Sequence, residues 1–327
     1  MNAPAMSVVL VTATRLTDVC LTLQALAAQS VREQLELVLV SPGDESLPDA
    51  RWLTGFHSVS LIRVPAVASR GRGAAPGVRA ARGGIIALME NHVLPEPGWA
   101  EAIIRAHRDP WAAVGPRVVG LPSRSWVARA NGLVNYERFS GYDRPLEVSE
   151  LPWHNTTYKR QVIGPFAEQL DTLLDREAEL HAALRAEGQR LCLFPAARLR
   201  HMHVSNVLEA LSHTVHSGRV FAAERSRTWP WWRRLAYAVL WPLFPFLRYA
   251  HMRTDLQRIA RTEPVWRFLP LVFLMLCGIS IGEACGYLTG AGRSGEWAAM
   301  HELRFIERAN SADRAVLEDM MQAARRE

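Results

Sequence analysis

Short β-branched runs alternate with helically spaced apolar positions over the first two thirds of the chain. Residues 7–11 form a β-branched run ending at Thr12, and Leu16, Cys20, Leu23 and Ala27 then recur at the spacing of one helix face. Residues 35–40 predict a second strand, stopped at 41–44 by Ser-Pro-Gly-Asp, a turn dictated by Pro and Gly. Residues 59–64 predict a third strand, and the Gly/Ala/Arg connection 71–82 turns helical toward Gly83. Residues 85–89 are wholly apolar, as expected of a strand buried at the centre of a parallel sheet. Repeating strand-then-helix units of this size imply right-handed crossovers and a doubly wound α/β sheet. In such sheets ligands sit beyond the carboxyl ends of the strands.

That rule gives weight to Glu90-Asn91-His92, the polar triplet closing the apolar fourth strand. Beyond it the pattern predicts a helix over 99–107, a strand over 112–119, a helix over 125–136 and an acidic loop over 143–151. A long helix over 169–187 follows, with Leu173, Leu180 and Leu184 on one side and Gly188 as its stop. A short strand over 191–194 leads through His201-Met202-His203 into a helix reaching about residue 224.

The composition then changes. Residues 229–249 and 268–288 are rich in apolar and aromatic side chains, and five of the eleven tryptophans lie between Trp229 and Trp266. The pattern therefore predicts an α/β domain over 1–227, a hydrophobic Arg/Trp-rich membrane-associated region over 228–292, and an amphipathic helical tail over 293–327. Residues 268–288 are long enough to cross ~30 Å of hydrocarbon as a helix. They also contain Pro270, Gly278, Gly282, Glu283 and Gly286, and an unpaired Glu in lipid is costly. Residues 235–247 are too short to span and are broken by Pro242 and Pro245. The expectation is attachment to the cytoplasmic face through interfacial or re-entrant helices, with 268–288 as one candidate full span and a buried core helix pair as the competing reading.

Apolar residues make up 49% of the 327 and charged residues 21%, enough for a sizeable core and against wholesale disorder. Net charge is +6, but residues 218–267 alone carry ten Arg against three acids, a local +7. The remainder is close to neutral, which argues against a protein that coats nucleic acid and in favour of an anionic lipid surface. Cys20, Cys192, Cys277 and Cys285 have no metal-binding spacing, so free thiols in a reducing compartment are expected. The N-terminus lacks the basic start of a secretory signal.

Residues i and i+2 of an extended segment share a face, so Glu90 and His92 could hold a divalent cation together, or stand as ordinary polar residues at a strand end. Asp44 either contacts a nucleotide or caps its own turn. Asp175, Arg176, Glu177 and Glu179 form an acidic helix start, which the helix dipole alone would favour. Arg70, Arg72, Arg79 and Arg82 either contact phosphate or face solvent. The stretch GRGAAPG lacks the spacing of a dinucleotide fingerprint, so NAD binding is not expected.

Six blocks in order resemble a family-2 glycosyltransferase of the nucleotide-sugar-dependent, GT-A kind. They are SVVLVTATR with LTLQALAAQS, LELVLVSPGD, ARGGIIALMENHVLPEPGW, LPWHNTTYKR, DREAELHAALRAEGQRL and FPAARLRHMH, spanning roughly residues 7–205. The resemblance implies a Rossmann-like, mostly parallel sheet flanked by helices, followed by a C-terminal hydrophobic helical region. It implies transfer of a sugar, with inversion, from a nucleotide-diphosphate sugar to a lipid-linked or polysaccharide acceptor in surface-glycan synthesis. The location it implies is the cytoplasmic face of the cell membrane. It assigns Glu90 and His92 to Mn²⁺ or Mg²⁺, and Thr12, Asp44, Arg79, Glu90 and His201 to the donor. Trp153, His154 and Asn155 fall to the acceptor side, and Glu177 to the catalytic base, with Asp175 as its neighbour and rival. Two positions depart from the family pattern: Glu90-Asn91-His92 stands where Asp-x-Asp is common, and Arg176-Glu177 where Glu-Asp is common. The departures motivate a second reading, a catalytically degenerate membrane-bound assembly partner. A nucleotidyltransferase would share the fold but needs a basic phosphate loop near the first strand, where only Arg15 is available.

Overall fold

The computed structural model describes residues 3–43, 47, 50–121, 125–261, 264–308, 313 and 316. The first elements are β1 (Met6–Val11), α1 (Cys20–Ala27), β2 (Leu35–Ser41), β3 (Ser58–Arg63), α2 (Arg70–Ala80), β4 (Ile85–Met89), β5 (Val93–Pro95) and α3 (Trp99–Ala106). Next come β6 (Ala113–Gly120), α4 (Trp126–Tyr136), β7 (Leu146–Val148), β8 (Thr157–Lys159), α5 (Arg160–Ile163), α6 (Leu170–Leu173), α7 (Glu177–Ala186) and β9 (Leu191–His201). Helices close the chain: α8 (Val207–Arg225), α9 (Trp231–Val239), α10 (Phe244–His251), α11 (Arg253–Ile259), α12 (Leu269–Thr289), α13 (Ser294–Leu303) and α14 (Phe305–Arg308).

Two compact units result, and neither is continuous in sequence. The first takes residues 1–119, 139–201 and 303–327, and the second takes 120–138 and 202–302.

The first unit is the expected α/β class. Its sheet runs β3-β2-β1-β4-β8-β6-β9-β5, with β7 paired to β9. The four strands β3, β2, β1 and β4 are parallel, in registers such as Leu10 opposite Leu39 and Met89. Beyond β4 the pairing turns antiparallel. Met6, Val8 and Leu10 of β1, Leu37 and Leu39 of β2, and Ala87 and Met89 of β4 pack with Leu23, Leu26 and Ile103 into one buried cluster. Order reverses between β1 and β4, since β2 leads away on one side and β4 on the other. The carboxyl ends of these strands are therefore where a doubly wound sheet opens a ligand crevice.

The structure alters two of the expected elements. The single helix over 169–187 is two helices, α6 and α7, because Asp175 between them accepts a hydrogen bond from the Gly71 backbone N–H at 2.6 Å. A side chain at Gly71 would come within 2.4 Å of the Asp171 carbonyl oxygen, so only Gly lets α2 approach that closely. The strand expected over 191–194 extends to His201, held by β7 on one part and by β5 on the other.

The second unit is helical. α12 presents Gly278, Gly282 and Gly286, four residues apart, to α8. A Cβ at Gly282 would sit 2.0 Å from the Val215 carbonyl oxygen, and one at Gly218 would sit 2.2 Å from that of Ile279. These glycines are thus a close-packing seam, the small-residue device that lets two helix backbones meet. Glu283, expected as an unpaired charge, is buried and ion-paired with Arg248, which also donates to Ser280 Oγ at 3.0 Å. α12 has the length and hydropathy of a membrane span, and half of it is buried in the unit. Trp231, Trp232, Leu243, Phe246, Leu247 and Trp266 are exposed.

Candidate active site

Two buried carboxylates of the first unit organise the crevice side of the sheet. Glu90 follows β4 directly and is 1% exposed. Its Oε1 lies 2.7 Å from Arg70 Nη2, a guanidinium delivered by the first residue of α2. The start of α2 is fixed by Ser69, whose side chain accepts the Arg72 backbone N–H. Glu90 Oε2 lies 3.1 Å from His201 Nε2 and 3.8 Å from His92 Nε2, and accepts from Asn155 Nδ2 at 2.6 Å. The Glu90 backbone N–H returns the contact to Asn155 Oδ1 at 3.3 Å. Burial alone would raise the Glu90 carboxyl, yet Arg70, His92 and His201 together hold it well below the usual carboxylate range.

The imidazoles are placed by their own partners. Asn91 donates to the Leu303 carbonyl, so its Oδ1 is the atom that accepts from His92 Nδ1 at 3.0 Å. That contact assigns the proton to Nδ1 and leaves Nε2 as the ligating nitrogen. The His92 ring stacks on Phe305 with centroids 4.3 Å apart and meets His201 edge-on at 4.7 Å.

One ligand atom each from Glu90, His92 and His201 lies within 4.8 Å of the others. Two imidazoles and a carboxylate fit Mn²⁺ better than Mg²⁺, which prefers oxygen. The oxygen facing both rings is Oε2, while Oε1 belongs to Arg70. The donor set therefore fits a divalent cation.

Glu177, the first residue of α7, is fully buried. Its Oε1 accepts the His154 backbone N–H at 2.7 Å and lies 3.0 Å from His154 Nδ1. Its Oε2 accepts from Tyr158 Oη at 2.9 Å. Tyr158 Oη also lies 2.9 Å from His181 Nε2, while His181 Nδ1 faces the Leu151 N–H at 3.5 Å. Leu151 N is a donor, so Nδ1 accepts, Nε2 carries the proton, and the chain of donors runs His181 to Tyr158 to Glu177. Burial raises the Glu177 carboxyl, but the His154 hydrogen bonds and the nearby His154 and His181 imidazoles bring it below its ordinary value. Burial and the Glu177 charge push the Tyr158 hydroxyl well above its ordinary value, so it stays a donor.

His154 is the one described non-glycine residue with positive φ, at 64°. A left-handed imidazole residue costs conformational energy, which the two bonds to Glu177 offset. Its side chain, 18% exposed, lines a small cleft with Val11, Arg70, Ala74, Met89 and Leu174. The cleft joins the two carboxylates: Glu90 reaches it through Arg70, and Glu177 through His154.

The remaining sequence-derived residues divide. Thr12, at the end of β1, is buried and donates to the Arg15 carbonyl at 2.9 Å. Arg79 is engaged with Asp171 and the Ala167 carbonyl, on the seam between α2 and α6. Asp175 is engaged with Gly71 N. Trp153 donates from Nε1 to Glu150 at 3.0 Å. Asn155, expected at the acceptor, is buried and clamps Glu90. Asp44 lies outside the described residues.

Sequence reasoning missed Tyr158, His181 and Phe305, and gave Arg70 no distinction from its neighbouring arginines. Arg70 had one signal, its place directly after a capping serine. The other three are brought in by tertiary packing.

No family of known proteins matches the chain, and no curated protein matches it. Among solved structures it is similar to GalNAc-T7 with UDP, GalNAc and Mn²⁺, at 12% identity and TM-score 0.44, over 62% of this chain and 44% of that one. It is also similar to S. aureus TarS 1–349, at 13% identity and TM-score 0.46, over 68% and 65% of the two chains. The same TarS fragment in complex with UDP-GlcNAc gives 13% identity and TM-score 0.41, over 62% and 59%. The chain spans less than two thirds of the length of each of these structures.

Proposed function

We propose that the chain is an inverting glycosyltransferase that takes a sugar from a nucleotide-diphosphate donor to a lipid-linked or polysaccharide acceptor. The observation that carries this reading is the convergence of Glu90, His92 and His201 at the carboxyl end of β4, beside the strand-order reversal. The six sequence blocks that resemble the family support it.

When bound, Mn²⁺ or Mg²⁺ on Glu90, His92 and His201 supplies Lewis-acid neutralisation of a diphosphate. Arg70 adds a fixed positive charge at the same place, already desolvated and held by Glu90. The acceptor hydroxyl loses its proton to the Glu177–His154 pair, in which His154 is the member that meets the cleft and Glu177 orients it. The acceptor oxygen then bonds to the anomeric carbon as the carbon–oxygen bond to the diphosphate breaks, its electron pair leaving on the phosphate. Thr12, Asp44 and Arg79 keep their proposed donor roles and Trp153 its acceptor role, while Asn155 acts through Glu90.

The chain is proposed to attach to a lipid surface on the cytoplasmic side. Support comes from the exposed tryptophans and phenylalanine of 231–266 and from the local charge of 218–267. In this arrangement 1–227 carries catalysis, 228–292 the membrane contact, and 293–327 a helical tail.

The test is a panel of nucleotide-diphosphate sugars offered to purified full-length protein with Mn²⁺, Mg²⁺ or chelator. Metal-dependent release of nucleoside diphosphate from one donor is the expected result. Absence of both binding and release across the panel contradicts it and favours the assembly-partner reading, for which the stacking of Phe305 on His92 is the specific support.

A further inference from the structure

We propose that His213, His301 and Glu302 form a second metal site, one that takes Zn²⁺ and fastens α13 to α8. It shares no residue with the Glu90 cluster and lies wholly in the helical unit. Glu209 and His213 are four apart on α8, and Trp297 and His301 are four apart on α13, so each pair shares one helix face. His213 Nε2 lies 3.0 Å from Glu302 Oε1, and His301 Nε2 lies 3.0 Å from Glu209 Oε1. The two imidazole centroids are 5.0 Å apart. One ligand atom each from His213, His301 and Glu302 lies within 4.8 Å of the other two. A tetrahedral Zn²⁺ with bonds of about 2.1 Å spaces its ligands roughly 3.4 Å apart. Side-chain rotation over about an ångström closes that gap.

The donor set narrows the ion to first-row transition metals, among which Zn²⁺ binds more tightly than Mn²⁺. Two imidazoles with a carboxylate suit Zn²⁺ and disfavour Mg²⁺ and Ca²⁺, whose ligands are oxygens. Simple ion pairing is the competing explanation. It accounts for each His–carboxylate contact separately but not for the convergence of ligand atoms of His213, His301 and Glu302 within 4.8 Å of one another. A divalent cation needs both rings neutral and uses the carboxylate charge directly. Glu209 beside His301 supplies the carboxylate-to-histidine contact that orients a metal-bound ring. Trp297 stacks on His301 at 4.9 Å and on His216 at 4.2 Å, which fixes the ring plane from the other side. Three protein ligands leave a fourth tetrahedral position, which a water would fill.

The experiment uses full-length protein, stripped with chelator, and titrates it with Zn²⁺ by calorimetry and with Co²⁺ by visible absorption. Wild type is expected to bind one Zn²⁺ that survives His92→Gln with His201→Gln, and Co²⁺ there should give the intense bands of tetrahedral coordination. His213→Gln, His301→Gln and Glu302→Gln should each weaken that site more than 100-fold, and Glu209→Gln by about 10- to 100-fold as an outer partner. With His92 and His201 both replaced by Gln, Zn²⁺ should still raise the Tm, and adding His213→Gln to that background should abolish the rise. Should one ligand variant fail to fold, the other two decide. Wild-type Zn²⁺ affinity in all folded ligand variants, or no Zn²⁺ bound once His92 and His201 are replaced, overturns the proposal.

Discussion

Glu90 and Glu177 are both removed from water in the same unit, yet their surroundings differ in kind. Glu90 faces cationic or potentially cationic groups, namely Arg70, His92 and His201. Glu177 faces a backbone N–H, a tyrosine hydroxyl and the imidazole of His154, a residue that lines the cleft. A buried carboxylate encircled by positive charge is a counter-ion, suited to gathering more cationic charge for an anionic ligand. A buried carboxylate held by a backbone N–H, a hydroxyl and a single imidazole, with no guanidinium beside it, is a positioning group, suited to fixing a ring that exchanges protons. The difference teaches that burial alone does not mark a catalytic acid or base; the charge of the partners decides which task it serves.

Glu177→Gln should break the second half of that contrast most visibly. Turnover is expected to fall by roughly 10²- to 10⁴-fold with donor affinity kept, because the proton-accepting pair loses the carboxylate that orients His154. Steady-state kinetics across donor concentration check it, and the loss belongs in kcat. If Asp175→Asn is instead the crippling change, the register of this motif is wrong.

Glu90→Gln attacks the first half. It leaves Arg70, whose side chain is 8% exposed, with no ionised partner, which typically costs about 3 to 5 kcal/mol. Denaturant unfolding should show that loss, and metal-dependent donor binding should disappear with it.

Acid separates the two carboxylates by pH. Both have folded-state values below the ordinary 4.5, so the stability they contribute is present above about pH 4.5 and is lost as pH falls through their folded values. Glu177 is lowered and Glu90 lowered well below, so the Glu177 contribution fades first. A third group precedes both. His107, buried and donating to Thr157 at 2.8 Å, is pushed down to about 3 from 6.5 by burial and by Lys159. Between those limits the unfolded chain binds the extra proton, so stability falls with pH by up to about 1.4 kcal/mol per pH unit. Unfolding measured from pH 7 to 3 should show this slope, and His107→Gln should flatten it.

The smallest effect is expected at Tyr158. Tyr158→Phe removes one neutral donor from Glu177, at a cost near 1 kcal/mol and a modest fall in turnover. A loss as large as that of Glu177→Gln would make Tyr158 more than a positioning residue.

Local pattern made the parallel half of the sheet legible, because β4 is continuously apolar and β1 and β2 are bounded by turn chemistry. It also singled out Glu90 and His92 as candidates, while Glu177 and His154 came from the family resemblance. The break at Asp175 was not legible, since its cause is Gly71, more than a hundred positions away. Arg79 and Asn155 illustrate the same limit: residue type and motif position suggested ligand contacts but not their long-range partners within the fold, Asp171 and Glu90. The glycines of α12 were readable as interruptions of an apolar run. Their four-residue spacing held the further information that they form one face, which only the close approach of α8 explains.

The most direct measurement of the central claim is donor binding by thermal shift, with and without Mn²⁺, in wild type, Glu90→Gln and Glu177→Gln. A ligand that binds only the folded state must raise its Tm. The account predicts that one nucleotide-diphosphate sugar stabilises wild type and Glu177→Gln in Mn²⁺, gives a much smaller shift in chelator, and leaves Glu90→Gln unshifted. Equal, metal-independent stabilisation of all three proteins would contradict it.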